Sequence, residues 1–437
     1  MIGDCSLFLE GRRTNTSSNC TSIRDLFLDI FSSNEDQERI CAIFNEDQLT
    51  ASQLSQNARK IATSLANYTI VAVCMHPSLE LITTLCGIIL RGIPYVPLEP
   101  TLPYQRLKYI LNDSEAQLII RSDFSTNDLN FEGIDTFTYS QLCVNAENDN
   151  KLIVKVNSED TFCLMYTSGS TGQPKGVHLS HRALLNRLHW QWSNFPFDND
   201  VCCLKTSISF VDSIAEIFSP LLQRVPIVIL PKSLLMDIAQ LTHVLAMKHI
   251  TRIVLVPSLL TILIDYLQNS NNVHLFDLRF VICSGETLSL HLIESFFNLK
   301  MKKLSSTCCL LNLYGSTEVM ADVTCEIFKS TTSLYDTLSY DGRTSIGFPI
   351  DNIRIDIIEP DERGVGELVV KGQGVANEYH KCDTTNTILS NKFTCDDDGQ
   401  PCFFTGDLGK IIYNRIIYYG RKDNQVKNLF IKIYFFI

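Results

Sequence analysis

Two rhythms of apolar residues alternate along the middle of the chain. Val225–Leu230, Arg252–Val256 and Phe280–Cys283 read as short strands. Between and after them the apolar positions take helical spacing. Ile238, Leu241 and Leu245 lie within Asp237–His249; further helices are expected over Ser258–Gln268, with Ser258 as N-cap, and over Ser289–Leu299. This β-α-β-α order predicts an α/β fold with parallel-rich sheets covered by helices on both faces. From Ile353 to Tyr419 the texture changes to short strand-like runs broken by Gly, Asp and Pro, predicting a smaller β unit with an exposed turn at Cys395–Pro401.

Composition narrows the function. With 437 residues, 45% hydrophobic and 19% charged, the chain has room for several packed units and is not of disordered type. The net charge of −11 argues against a nucleic-acid surface, which needs clustered Lys and Arg. The sixteen cysteines are scattered without a C-x-x-C pair, so a zinc or redox motif is unsupported. Several sit in apolar runs, as small core residues do. No secretory signal precedes Asn15, and no apolar run reaches the ~20 residues that span a bilayer. The expectation is a cytoplasmic protein with no membrane partner.

Candidate chemistry begins after the strand-like Phe162–Tyr166, at Thr167-Ser-Gly-Ser-Thr-Gly-Gln-Pro-Lys-Gly176. Small hydroxylated residues and glycines let backbone N–H groups approach a polyphosphate while Lys175 supplies charge. The spacing is neither the Walker pattern nor G-x-G-x-x-G. Taken alone, the segment reads equally well as a Ser/Gly surface loop.

Further segments occur in order. They are Arg91–Pro100 (RGIPYVPLEP), Ser284-Gly-Glu286, Asn312-Leu-Tyr-Gly-Ser-Thr-Glu318, Gly366–Gly372 (GELVVKG), Thr405-Gly-Asp407 and Gly420–Lys427 (GRKDNQVK). Together with the loop they resemble the motif series of the adenylate-forming, AMP-binding superfamily, which includes acyl-CoA ligases and nonribosomal-peptide-synthetase adenylation domains. The resemblance runs from about residue 40 to 427. It implies the large N-terminal domain of those enzymes: two βαβ-type subdomains plus a small β-barrel-like one. The implied organisation is a poorly defined segment 1–30, a core 31–419 with its β-rich part at about 350–419, a hinge at 420–427 and an atypical apolar tail 428–437.

The resemblance also implies roles. Thr317 and the loop residues Thr167, Ser168, Gly169, Ser170, Thr171, Gly172 and Lys175 would contact phosphates. Gly285 and Glu286 would border the nucleotide, Tyr314 would stack on adenine, and Asp407 would accept hydrogen bonds from ribose, with Arg421 nearby. Glu318 would hold Mg2+, which favours carboxylate and phosphate oxygens. Thr317 and Glu318 are thus the catalytic candidates, with ATP and Mg2+ as cofactors.

The acid is read from Phe210-Val-Asp-Ser-Ile-Ala-Glu216. Amino-acid-activating relatives carry F-D-x-S, whose Asp faces the α-ammonium. Aligning Phe210, Ser213 and Glu216 puts Val211 at that position and Asp212 one residue later. A β-amino acid such as β-alanine, with its amine one methylene farther from the carboxylate, suits that displacement. Ile282, Ser284 and Asp322 complete the inferred pocket, and a buried ammonium needs such charge-assisted partners. Asp212 capping a helix that starts near Ser213, and Asp322 lying in a solvent-facing loop, are the structural alternatives. Asn186–Trp192 and Phe195–Phe197 are further similar to the β-alanyl-amine synthase type, which passes β-alanine to a phosphopantetheine carrier and then to an amine. An acyl-CoA ligase and a catalytically silent nucleotide-binding fragment remain open.

After Lys427 the family pattern continues into a small subdomain bearing a C-terminal lysine. Asn428–Ile437 matches nothing in that pattern. The expectation is that this subdomain and the carrier are not encoded here, and that the chain alone adenylates weakly.

Overall fold

The computed structural model describes residues 7–14, 21–32, 37–123, 131–144, 154–168, 173–330, 339–381 and 392–422. Two sheets carry the fold. In the first, Asp135–Thr138, Leu118–Arg121, Val71–Cys74, Tyr95–Leu98 and Thr161–Ser168 run parallel in that order, and Pro174–Ser180 closes the edge antiparallel. In the second, Ile40–Phe44, Ile227–Ile229, Cys202–Leu204, Arg252–Leu255, Phe280–Cys283 and Cys309–Tyr314 are neighbours and parallel. Parallel neighbours require crossovers, which helices supply here.

Helix Leu79–Arg91 shows why the sequence folds this way. Every residue from Leu81 to Leu90 is buried, as expected of a helix with little polar surface. The Ser78 side chain accepts the Leu81 N–H at its start, and Gly92 ends it in the left-handed region at φ 75°. A continuous core joins the two sheets. Phe162 of the first meets Phe218 of helix Asp212–Leu222 edge-on at 5.4 Å, and Phe27 meets the same ring at 6.0 Å.

The expected strand Phe280–Cys283 is present with those bounds. Asp237 and Ser289 cap helices Ile238–Met247 and Leu290–Lys303. Ser258, expected as an N-cap, is instead inside helix Pro257–Asn269. Pro257 takes the first position, where its missing N–H costs nothing. The β-rich stretch is antiparallel, as its texture predicts. It is also joined to the second sheet, because Thr324–Phe328 pairs with Cys309–Tyr314 on one side and Arg343–Pro349 on the other.

The first thirty residues, expected to be poorly defined, contain two docked elements. Phe8–Glu10 adds a strand to Ile353–Ile358, and helix Ile23–Ser32 buries Ile23 and Phe27, four residues apart on one face. Among the described residues no helix is long and apolar enough to cross a membrane. The tail 428–437 and most of the hinge lie outside the described residues.

Candidate active site

In parallel α/β sheets, binding groups gather where the strands end at their carboxyl side. Four sequence candidates meet there. Ser284 follows strand Phe280–Cys283, Tyr314 ends Cys309–Tyr314, and Asp212 opens helix Asp212–Leu222 beyond Cys202–Leu204. Asp322 leaves the hairpin that begins at Tyr314.

That hairpin is tightly built. A Cβ on Gly315 would lie 1.9 Å from the Ala321 carbonyl oxygen, so only glycine fits. A single 3-10 turn, Thr317–Val319, places Thr317 and Glu318 at the tip. Met320 and Ala321 then turn back in the left-handed region, at φ 53° and 72°, and deliver Asp322 inward. The Tyr379 hydroxyl donates to Glu318 Oε1 at 2.9 Å, and the Ala376 N–H donates to the Glu318 carbonyl. A half-buried carboxylate is thereby held from the β-rich side.

Asp322 is 4% exposed and its oxygens are already engaged. Arg187 donates to Oδ2 from Nε at 3.1 Å and Nη2 at 2.8 Å, and Ser284 donates to Oδ1 at 3.3 Å. The solvent-loop alternative for Asp322 is therefore wrong. Glu216 is also buried; it accepts the Lys205 and Thr206 N–H groups and the Thr206 hydroxyl, with Lys205 Nζ 3.5 Å away. Asp212 makes no ion pair among the described residues. Burial first, then the Asp322 and Glu216 carboxylates, push its pKa up to about 6, while Lys205 and Ser284 pull it down. Helix Asp212–Leu222 has no side-chain cap, with Val211 at the N-cap position, so the capping alternative for Asp212 is not what forms. Val211 is buried and Ile282 packs against the core.

Tyr314, Asp407 and Arg421 are brought together. The Tyr314 hydroxyl donates to Asp407 Oδ2 at 2.7 Å and Arg421 Nη1 to Oδ1 at 3.0 Å, while Tyr418 lies 5.8 Å from the Tyr314 ring. Burial, then Asp407, raises the Tyr314 pKa well above the usual phenol value, so the hydroxyl stays a donor. Glu286 is engaged within the fold. Both its oxygens accept from Ser258, the backbone N–H at 3.0 Å and the hydroxyl at 3.1 Å, which satisfies the start of helix Pro257–Asn269. Gly285, at φ 85°, makes the turn that allows this. Thr167 and Lys175 face each other in register across the strands flanking the loop, and Ser168 ends the first strand. Gly169, Ser170, Thr171 and Gly172 lie outside the described residues.

Residues 32–380 match the family described as "AMP-binding enzyme". The chain belongs to the AMP-binding enzyme family. It is similar to the Beta-alanyl-bioamine nonribosomal peptide synthetase ebony of Drosophila melanogaster, 36% identical over 378 residues, covering 82% of this chain and 42% of that protein. Vanchrobactin synthetase VabF of Vibrio anguillarum is 30% identical over 447 residues, covering 98% of this chain and 15% of that protein. The chain thus spans less than half the length of these relatives. Among solved structures, the Klebsiella oxytoca NpsA N-terminal subdomain in complex with 3-hydroxybenzoyl-AMSN aligns over 92% of this chain and all of that one, with TM-score 0.77 and 22% identity. That likeness establishes the fold as the N-terminal subdomain of this AMP-binding family.

Four residues around the site escaped the sequence reading. Arg187 lies on helix His181–Asn194 beside buried Leu184 and Leu188. A cation on an apolar helical face was the available signal, since such a group needs a buried acid. Tyr379 carried no local signal, being placed by an antiparallel bridge to Val177. His178 and His380 form a hydrogen bond of 2.9 Å across the same seam, tying the first sheet to the β-rich unit. Burial, then the neighbouring His380, lowers the His178 pKa to about 4.

Proposed function

We propose that this chain is an ATP-dependent adenylation unit that activates a small β-amino acid of the β-alanine kind. The observation that carries this reading is Asp212: a carboxylate at the carboxyl ends of the parallel strands that makes no ion pair among the described residues. An ammonium is its natural complement, and burial strengthens such a charge-assisted contact. Asp212 stands one residue beyond the position held here by apolar Val211, which suits an amine set one methylene farther from the reacting carboxylate. The name of the fly relative supports the same acid.

The chemistry joins a carboxylate oxygen to the α-phosphorus of ATP as the bond to the β-phosphate breaks and pyrophosphate leaves. The protein's part is alignment and charge. Asp212 anchors one end of the acid. Asp407, whose oxygens are held by Tyr314 and Arg421 in this structure, would accept ribose hydroxyls through its remaining lone pairs. Thr317 and the strand ends Thr167 and Lys175 face the polyphosphate. Glu318 fits magnesium, because Tyr379 holds Oε1 and leaves Oε2 as a hard donor, and magnesium is commonly held by one or two carboxylates plus substrate phosphates. When bound, the ion neutralises phosphate charge. The activated acid would pass to a phosphopantetheine carrier and then to an amine; the fly relative's name, which joins β-alanyl to a bioamine, supports the second transfer.

Acid-dependent ATP–pyrophosphate exchange tests the reading. β-Alanine should stimulate exchange well above propionate and octanoate. Stimulation by octanoate alone would point to an acyl-CoA ligase, and ATP binding without any exchange to a silent nucleotide-binding unit.

A further inference from the structure

The acid pocket holds more charge than one ammonium can match, and Arg187 resolves the excess. Three carboxylates gather at the strand ends, where Asp322 and Glu216 both act on Asp212. Lys205 lies 3.5 Å from Glu216, and Arg187 holds Asp322 through two nitrogens. Three anions against two cations leave one negative charge, at Asp212. Arg187 is itself fixed. Its Nη1 donates to Gln191 Oε1 at 2.9 Å, its guanidinium lies 4.9 Å from the centre of the Trp190 ring, and it is 4% exposed. Ser284 binds the other Asp322 oxygen, so this carboxylate cannot turn toward a ligand without breaking the pair.

We propose that Arg187 sets the charge the acid pocket accepts: by neutralising Asp322 it leaves the site one negative charge, matched to an acid bearing a single ammonium. Arg187 is in this account a positioning and specificity residue that acts through Asp322 and does not touch the acid. The proposal rests on the adenylation reading above. It assigns Asp212 the ammonium contact and Asp322 the support of the pocket wall.

The test removes one charge of each sign in turn. Sulfamoyl-adenosine analogues of β-alanine and of propionate, equal in shape but differing by one ammonium, are titrated calorimetrically into the chain at pH 8, where carboxylates are ionised. The readout is the ratio of their affinities. Arg187→Gln exposes a second negative charge and should raise the preference for the ammonium about fivefold. Asp322→Asn leaves the pocket neutral and should lower it at least about tenfold. The double variant Arg187→Gln with Asp322→Asn restores one negative charge and should return the ratio to within about threefold of the parent. Single changes that both lower the ratio would overturn the proposal, because a merely structural pair loses preference whichever partner is removed. Should Arg187→Gln fail to fold, the double variant decides: a restored ratio supports the assignment and a collapsed one refutes it. Wild-type chain that binds neither analogue would instead remove the adenylation reading, and this proposal with it.

Discussion

Two buried charge clusters sit at opposite ends of the same parallel strands. At the amino ends, Asp200 accepts from Arg252 at 3.1 and 2.7 Å and from Arg279 at 3.2 Å. Arg252 is further held over the Phe197 and Phe280 rings, 4.1 and 4.6 Å from their centres. One carboxylate there meets two cations, and both its oxygens are occupied. At the carboxyl ends three carboxylates meet two cations, and Asp212 is left over. The first cluster ties Phe195, Pro196 and Asp198 to the strands through backbone acceptors. The second leaves Asp212 without an ion pair among the described residues. Burial alone therefore does not mark function; a carboxylate left without an ion pair inside such a cluster is the better sign.

Breaking the closed cluster should have the largest effect. Arg252→Met leaves buried Asp200 with the half-exposed Arg279 alone and should cost about 3–5 kcal/mol in chemical unfolding, with the acid preference of the folded fraction unchanged. An altered preference would erase the distinction between the two ends. At the open cluster the sign reverses. The folded pKa of Asp212, about 6, lies above its unfolded value, so stability falls as pH rises from about 4 to about 6. Asp212→Asn removes that penalty and should stabilise the empty protein at pH 7 by about 1–3 kcal/mol while abolishing preference for an ammonium-bearing acid. Lowered stability in this variant would show that Asp212 is a structural partner.

The same titration gives a pH test. Below about pH 6 Asp212 takes up a proton, so the KM for β-alanine should rise roughly tenfold per pH unit, the factor expected of one group. A flat profile between pH 5 and 7 would separate Asp212 from the ammonium. The smallest effect is expected at the hairpin tip. Tyr379→Phe deletes one hydrogen bond to Glu318 and should raise the KM for magnesium–ATP about fivefold, near 1 kcal/mol, leaving the KM for the acid in place.

Much of this architecture was legible in the sequence because it is local. The strand Phe280–Cys283 and the helices expected from Asp237 and from Ser289 follow from short-range pattern. The motif order likewise brought Tyr314, Asp407 and Arg421 forward as a group. The partners that decide their behaviour are remote. Arg187 and Asp322 are 135 positions apart, and Tyr379 and Glu318 are 61. No spacing rule reports such pairs. Glu286 likewise has a partner that no spacing rule reports: its carboxylate holds Ser258, because a helix start needs its N–H groups satisfied. The N-terminal strand Phe8–Glu10 was hidden because an added edge strand of three residues carries almost no periodicity.

The claim at the centre of this account is that Asp212 recognises an ammonium one methylene beyond the α position. Its most direct test is calorimetric titration of the chain with sulfamoyl-adenosine analogues of β-alanine, α-alanine and propionate, which reads acid recognition without requiring turnover. The account predicts that the β-alanyl analogue binds at least about tenfold more tightly than either other, and that Asp212→Asn removes this margin. Equal affinity for the β-alanyl and propionyl analogues, or a margin that survives Asp212→Asn, would contradict it.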